Sequence, residues 1–325
     1  MATWYAQNSS VNIDSVNQWN SAADGSGSWL TWASLDPSDI LVANGKTSIA
    51  INVDTTCALL TNVATGGTAG GGFILAPGVT LTASITCASV TCVARSASGS
   101  ESFIIGSVTA AVGTNIPPAV VNSSTGVLTI TGNVTALAGT NCVGVQNASS
   151  GTVNVTGQLA AGTSNSGGGN AVVNHSTGTV NITGNCAGAS AGVNNAAAVN
   201  VSSGSMNITG NCVGGGAGTT TDAVRNNGTG TLTIVGTVTG GQSVSAFGVL
   251  NMSTGRVNIT GNVVASPVNS AIQNSGQGSF LVNGNFVCDP NGTQAIGRGV
   301  VLIPETALVQ HQYRSGNFFF DSACR

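Results

Sequence analysis

A glycine-bounded pattern, repeated seven times, is the feature that most constrains how this chain can fold. Two glycines separated by five residues recur along the middle of the chain, and successive copies are 23 to 27 residues apart. The pairs are Gly126/Gly132, Gly151/Gly157, Gly178/Gly184, Gly204/Gly210, Gly230/Gly236, Gly255/Gly261 and Gly278/Gly284. A fixed period of this length is typical of a solenoid, in which each repeat is one coil stacked on its neighbours.

Apolar and polar residues alternate within each copy. In the second copy, Val153 and Val155 lie between the glycines, Leu159 follows them and Val145 precedes them. Alternation with a period of two, carried by β-branched residues, indicates strands. Three short apolar segments in about 26 residues therefore predict an all-β chain, folded as a parallel β-helix (β-solenoid) with three strands per coil. Successive coils would lie about 4.8 Å apart.

Every copy also has an asparagine four residues before its first glycine. These are Asn122, Asn147, Asn174, Asn200, Asn226, Asn251 and Asn274. Stacked coils would place the amides above one another in a structural ladder, a device known from cross-β packing. A second, broken column contains Asn133, Asn185, Asn211, Asn262 and Asn285. Because asparagine tolerates turn conformations and bonds to nearby backbone groups, we interpret both columns as turn architecture rather than as ligand sites.

The repeats divide the chain into four regions. Residues 118–290 form the regular β-solenoid of seven repeats, and residues 40–117 form irregular β-rich coils that lead into it. The predicted strands of the leading region are Ile40–Val42, Ser48–Val53, Phe73–Leu75, Val79–Ile85 and Ser102–Val108. Residues 1–39 are a terminal cap or anchoring segment, and residues 291–325 are a cap or tail.

Aromatic residues are concentrated at the two ends of the chain. They are Trp4, Trp19, Trp29 and Trp32 at the start, and Tyr313, Phe318, Phe319 and Phe320 in the tail. A solenoid must cover its terminal coils, because open strand edges pair with other chains. Each cluster is therefore a candidate cap, and the alternative that one of them docks onto a larger assembly stays open.

The composition argues against several classes of function. Charged residues make up 5% of the chain, against roughly 25% in an ordinary globular protein. A net charge of −3 without a basic stripe gives no handle for nucleic acid, and no apolar run reaches the ~18 residues of a membrane span. The first residues are not a standard signal peptide. Cys186 and Cys212 occupy an inward apolar column, where we expect free thiols that pack as small hydrophobes. We find no motif for a metal or a cofactor.

Catalytic groups are sparse in the repeats. Residues 118–290 contain two acids, Asp222 and Asp289, whereas enzymes that cleave glycans need carboxylates facing one groove. Asp222 and Arg225 lie close together in a repeat turn, without a partner carboxylate. His175 and His311 lack metal-ligating neighbours in sequence, and we interpret both as solvated surface. We therefore expect no enzymatic activity, although a site shared between subunits remains open.

The early tryptophans, the segment Asp36-Pro37-Ser38-Asp39-Ile40 and the Gly/Thr/Val/Asn-rich repeats that follow resemble β-helical virion proteins of tailed bacteriophages. The resemblance implies a non-enzymatic tail fibre or capsid-bound appendage that projects a rod. It also implies a homotrimer, contacts with other virion proteins, a possible cell-surface glycan as partner, and a location in the virion or outside the cell.

Two alternatives to this function stay open. One is a tailspike that binds or degrades glycans. The other is a bacterial surface adhesin or an ice-binding solenoid, because the outward Thr/Asn-x-Thr pairs resemble the ice-binding faces of some β-solenoid antifreeze proteins. These pairs are 129/131, 154/156, 181/183, 207/209 and 258/260.

Overall fold

The structure is a computed structural model that describes residues 1–46, 48–62, 72–87, 91–110, 118–136, 139, 142–163, 168–243, 245–266, 271–287, 301–303 and 318–320. Within these ranges the chain forms 35 strands and one short 3-10 helix, Trp32–Ser34. Nearly all strand pairs are parallel and join one coil to the next. The predicted all-β parallel β-helix is therefore confirmed.

The leading region already forms coils. Its strands are β1 (Thr3–Ala6), β2 (Trp19–Asn20), β3 (Ile40–Val42), β4 (Ile49–Ile51), β5 (Thr55–Asn62), β6 (Phe73–Leu75), β7 (Thr80–Cys87), β8 (Val93–Arg95), β9 (Ser102–Ile105) and β10 (Val108–Ala110). Each of the five strands predicted in this region overlaps an observed strand. The sequence analysis missed β5 and β8, and it read β9 and β10 as one strand.

From residue 120 each coil repeats a three-residue strand, a five-residue strand and a strand of two or three residues. In chain order the strands are β11 (Val120–Asn122), β12 (Val127–Thr131), β13 (Val134–Ala136), β14 (Val145–Asn147), β15 (Thr152–Thr156), β16 (Leu159–Ala160), β17 (Val172–Asn174), β18 (Thr179–Thr183), β19 (Cys186–Ala187), β20 (Ala191–Gly192), β21 (Ala198–Asn200), β22 (Ser205–Thr209), β23 (Cys212–Val213), β24 (Ala217–Gly218), β25 (Val224–Asn226), β26 (Thr231–Val235), β27 (Val238–Thr239), β28 (Val249–Asn251), β29 (Arg256–Thr260), β30 (Val263–Val264), β31 (Ile272–Asn274), β32 (Ser279–Asn283), β33 (Phe286–Val287), β34 (Val301–Ile303) and β35 (Phe318–Phe320). The extra pair β20 and β24 forms a small sheet in the loops.

The three strand types form three faces of the rod. Sheet 1 contains the three-residue strands and continues back through the leading coils, in the order β4, β6, β8, β11, β14, β17, β21, β25, β28 and β31. Sheet 2 contains the five-residue strands, and sheet 3 contains the short strands that follow them. Sheets 2 and 3 merge in the leading coils because the long strand β7 pairs with both β9 and β10.

A column of glycines makes the corner between sheets 2 and 3. From Gly106 to Gly261 this column has φ between +135° and +152°, a region that side chains rarely adopt. The coils also approach closely here. A Cβ added to Gly157 would lie 2.1 Å from the carbonyl oxygen of Gly132, one coil away. The second glycine of the sequence pattern is therefore required both by backbone conformation and by space.

One hydrophobic core runs through the rod. The inward residues of each sheet are fully or almost fully buried, as Leu128 and Ile130 illustrate, and they belong to one cluster that extends from Ala6 to Val282. Cys186 and Cys212 lie side by side in this cluster as free, buried thiols. Their predicted role as small hydrophobes is confirmed.

The first 39 residues continue the stack rather than forming a separate unit. Strand β1 pairs in parallel with β3, and the backbone around Ile13 bonds to Ala50. Trp19 is buried and its Nε1 donates to the carbonyl of Ile13 at 2.7 Å. Trp4 and Trp32 pack partly buried against the core, whereas Trp29 is 44% exposed.

The tail is described only in part. Phe318, Phe319 and Phe320 form β35, which pairs in parallel with β34, and β34 pairs with β32. Tyr313 lies outside the described residues, as do His311 and Asp289.

Candidate functional site

The seven asparagines four residues before the first glycines lie inside the rod, on sheet 1. Each is the last residue of a sheet 1 strand and is at most 3% exposed. Each donates its Nδ2 to the carbonyl of the glycine four residues later, at 2.7 to 3.4 Å. The side chain therefore closes the turn that leads to sheet 2, from the buried end of the strand.

The same amides also bond between coils. From Asn122 to Asn226, each Nδ2 donates to the Oδ1 of the next asparagine, at 3.1 to 3.3 Å. Among the described residues, the Oδ1 atoms of Asn251 and Asn274 have no donor. Because the ladder lies in the interior, it acts on the stability of the stack and is not accessible to a ligand.

The outward surface of sheet 2 carries a second set of contacts between coils. Asn207 donates to Asn181, and Asn181 to Asn154, both at 2.9 Å, and Asn154 donates to the Thr129 hydroxyl at 3.2 Å. Beside this row runs an exposed column of mostly threonines. The result is a flat polar surface without charge along most of its length, which the exposed Val235 interrupts.

An open groove of about 790 Å³ runs along the outer surface of sheet 1 and is the largest described concavity. We call it the axial groove. One floor row contains Gln146, Val173, Val199, Arg225 and Leu250; a second contains His175, Val201, Asn227 and Met252; and the wall contains Pro118, Val143, Gly168, Asn170, Asn194 and Thr220. Members come from six successive coils, so the groove is roughly 24 Å long at 4.8 Å per coil.

Strand alternation explains the groove floor. In each three-residue strand of sheet 1 the first and third side chains point inward, so the middle one points outward. The middle residues of neighbouring strands pair in register, as Val199 does with Arg225 and Arg225 with Leu250. The loops that enter sheet 1 pack over this surface, where Val143, Val173 and Val199 form a small separate cluster with Ala196.

A buried ion pair lies in the floor of the groove. Arg225 is 9% exposed, and its Nε and Nη2 donate to Oδ2 of Asp222 at 2.9 and 2.7 Å. The other oxygen of Asp222 accepts the backbone N–H of Phe247 at 2.9 Å. Burial raises the pKa of the Asp222 carboxyl, although the charge of Arg225, the N–H of Phe247 and the hydrogen bonds from Arg225 oppose that rise.

This arrangement corrects the sequence analysis, which placed Asp222 and Arg225 together in a repeat turn. Arg225 is the middle residue of β25, and Asp222 is fully buried in the preceding loop. The carboxylate orients the guanidinium and caps a backbone N–H, so it is not positioned as a free acid or base. Its partner is a cation instead of a second carboxylate.

His175 lies at the edge of the groove, next to the ladder residue Asn174. Its side chain is exposed, as expected for solvated surface. The groove nevertheless removes enough water from the ring to lower the pKa of the imidazole below its ordinary value of 6.5. The imidazole is therefore neutral at pH 7.

Sequence reasoning did not find the axial groove, but a signal for it exists. The position five residues before each first glycine is outward, yet it holds Val121, Val173, Val199 and Leu250 in four of the seven copies. Apolar residues at outward positions of one face indicate a covered or binding surface. The loops that form the wall have no repeated pattern that could have been aligned.

Comparison with protein-family models, with curated proteins and with solved structures finds no match to this chain. Within the described ranges, no group of three or more His, Cys, Asp or Glu side chains could hold a metal ion. No helix in the described part of the chain is long and apolar enough to cross a membrane.

Proposed function

We propose that this chain is a non-enzymatic structural and adhesive component of a phage virion, a tail fibre or a capsid-bound appendage that projects a β-helical rod. The observation that carries the proposal is the unbroken register of sheet 1. Ten parallel strands stack from β4 to β31 without a change of partner, which corresponds to a rod of roughly 43 Å at 4.8 Å per step.

The interior of the rod suits a spacer. The buried asparagines bond each coil to the next in its central part, so bending would break buried hydrogen bonds that water cannot replace. The glycine column fixes the corners of the coils. A rod of this kind holds a terminal contact at a set distance from its anchor.

The exterior of the rod suits adhesion through hydrogen bonds. Sheet 2 presents amides and hydroxyls, and sheet 1 carries the axial groove. These surfaces match ligands rich in hydroxyl groups, such as the glycans of a cell surface. Either end of the rod could anchor it, because aromatic residues occur at both.

Cryo-electron microscopy of the native particle or assembly tests this proposal. Ordered rod-shaped density at regular positions on a capsid or tail, fitted by this fold, is the expected result. The chain occurring only as a free soluble monomer would contradict it.

A tailspike that binds or degrades glycans is the second candidate, and the axial groove is the observation that favours it. Binding requires no more than the groove. Degradation requires a carboxylate besides Asp222, which is already paired with Arg225, so it depends on groups from another subunit. Measuring release of reducing ends from a bound glycan, with Asp222→Asn as the comparison, separates binding from cleavage.

A further inference from the structure

We propose that the axial groove is a binding site for an uncharged, hydroxyl-rich polysaccharide, with Arg225 as its central hydrogen-bond donor. The inference rests on the adhesive part of the proposed function and does not depend on where the protein is located. It specifies which surface binds and which class of glycan that surface selects.

Arg225 has more donors than its partner uses. A guanidinium carries five N–H groups, and Asp222 accepts two of them. No other described residue accepts from Arg225, although the side chain is 9% exposed and lies between Val199 and Leu250. A guanidinium held in an apolar floor with three unused donors gains most from a ligand that brings acceptor oxygens.

Asn227 adds an acceptor on the same surface. It follows Arg225 by two residues, so both side chains point outward, and it also lines the groove. Its amide oxygen is buried, and no described residue donates to it. A hydroxyl group can accept from the guanidinium and donate to an amide. Sugars present such groups at every position of the ring.

The charge of the site is compensated at neutral pH. The Asp222 carboxylate neutralises Arg225 at 2.7 Å. His175 is uncharged at pH 7 because partial burial lowers the pKa of its ring. The remaining lining residues are amides, hydroxyls, glycines and apolar side chains. An anionic polymer would gain no net attraction here and would approach the carboxylate of Asp222, so the groove selects an uncharged ligand.

The spacing of the groove favours a sugar polymer over an extended peptide. Neighbouring coils repeat the floor about every 4.8 Å, whereas an extended peptide presents equivalent groups on one side only every ~6.7 Å. A peptide would fall out of step within two coils. A polysaccharide carries hydroxyl groups on all sides of each ring, and its C–H surfaces can pack on exposed apolar groups such as Val201 (36% exposed) and Met252 (54% exposed).

Affinity electrophoresis of the full chain through gels that contain one polysaccharide each tests the inference. The probes are dextran, mannan and galactan as uncharged polymers, with alginate and polygalacturonate as anionic ones, and a tryptic peptide mixture serves as competitor. We expect retardation by at least one uncharged polymer, unchanged between about 0.05 and about 0.5 M sodium chloride, because screening does not act on neutral contacts.

Two groove variants locate the binding. The pair Asp222→Asn with Arg225→Met removes the donors without leaving a buried charge unpaired. Met252→Glu changes an exposed residue of the floor, and Val213→Glu, on the exposed surface of sheet 3, is the matched control. We expect both groove variants to weaken binding about tenfold or more, as the loss of buried hydrogen bonds predicts, and the control to change it by less than about twofold.

Several results would overturn the inference. They are binding of the anionic polymers alone, competition by peptides, binding of no uncharged polymer, or equal binding by the two groove variants and the control. In that last case adhesion would stand but lie on another surface, such as sheet 2. Conversely, groove-dependent binding by a protein that is absent from virions would leave this inference intact and reject the virion location.

Discussion

The ladder residue Asn174 offers the sharpest test of how the rod is stabilised. Its Nδ2 donates to the carbonyl of Gly178 at 3.0 Å and to Oδ1 of Asn200 at 3.2 Å, and its Oδ1 accepts from Asn147 at 3.2 Å. Asn174→Ala removes these three hydrogen bonds in a fully buried position. At about 1 kcal/mol for each bond, with a further penalty for partners left unsatisfied, the free energy of unfolding should fall by about 3–5 kcal/mol.

Asn207→Ala is the matched control. Asn207 lies on the outward face of sheet 2, is exposed, and donates to Asn181 at 2.9 Å. The same chemical change there exposes its former partner to water, so it should cost less than about 1 kcal/mol.

Urea unfolding followed by far-ultraviolet circular dichroism measures both variants. Hydrogen exchange read by mass spectrometry then localises the loss, which we expect in the coils next to residue 174, since repeat units are stabilised mainly by their neighbours. If Asn174→Ala and Asn207→Ala lower the midpoint equally, the interior ladder contributes no more than a surface contact, and the reasoning about rigidity fails.

Three further predictions follow from single features of the rod. Gly157→Ala should cost more than about 2 kcal/mol in denaturant unfolding, because its φ is +152° and a Cβ would meet the carbonyl of Gly132; a change under 0.5 kcal/mol, the range of ordinary surface substitutions, would contradict the close approach. Arg225→Met alone should cost about 3–5 kcal/mol by leaving Asp222 buried without a partner, and adding Asp222→Asn should recover most of that loss; additive losses in the same unfolding assay would refute the coupling. Burial raises the pKa of Asp39, but its hydrogen bonds from Trp4, Ala2 and Asp36 together outweigh this and hold the pKa below 3.8, so the stability that Asp39 contributes is present above pH 3.8 and lost as the pH falls through the lower folded value; tryptophan fluorescence should report this loss and Asp39→Asn should abolish it, whereas an identical acid transition in the variant would exclude it.

The regular coils could be predicted because their constraints repeat in sequence. Alternation gives strands, the 26-residue period stacks them, and the second glycine of each copy marks a corner that admits no side chain. The leading coils were harder, and β8 shows why. Its last residue, Arg95, pairs in register with Asn122 and occupies the ladder position, fully buried. Its Nη2 donates to the carbonyl of Ser100 at 2.8 Å, as the asparagines do in later turns. An arginine at a strand end gives no sign in sequence that it replaces a buried amide.

The axial groove escaped prediction for a related reason. Its wall consists of loops of unequal length, and the contact of Asp222 with Phe247 joins two loops that are 25 residues apart. Contacts of this kind depend on how the coils stack, and they leave no periodic trace. The ion pair looked like two neighbouring surface charges because three residues separate them, whereas the loop bends so that both are buried.

The rod separates stability from recognition within three residues of each coil. In β25 the inward positions are Val224, which packs in the core, and Asn226, which continues the ladder. The middle residue, Arg225, contributes to neither, and its column changes from amide to valine to arginine to leucine along the groove. Substitution in that column therefore alters the surface a ligand meets while the stack stays the same. A solenoid with a fixed interior can change its ligand by changing one outward residue per coil, and the axial groove lies where such changes accumulate.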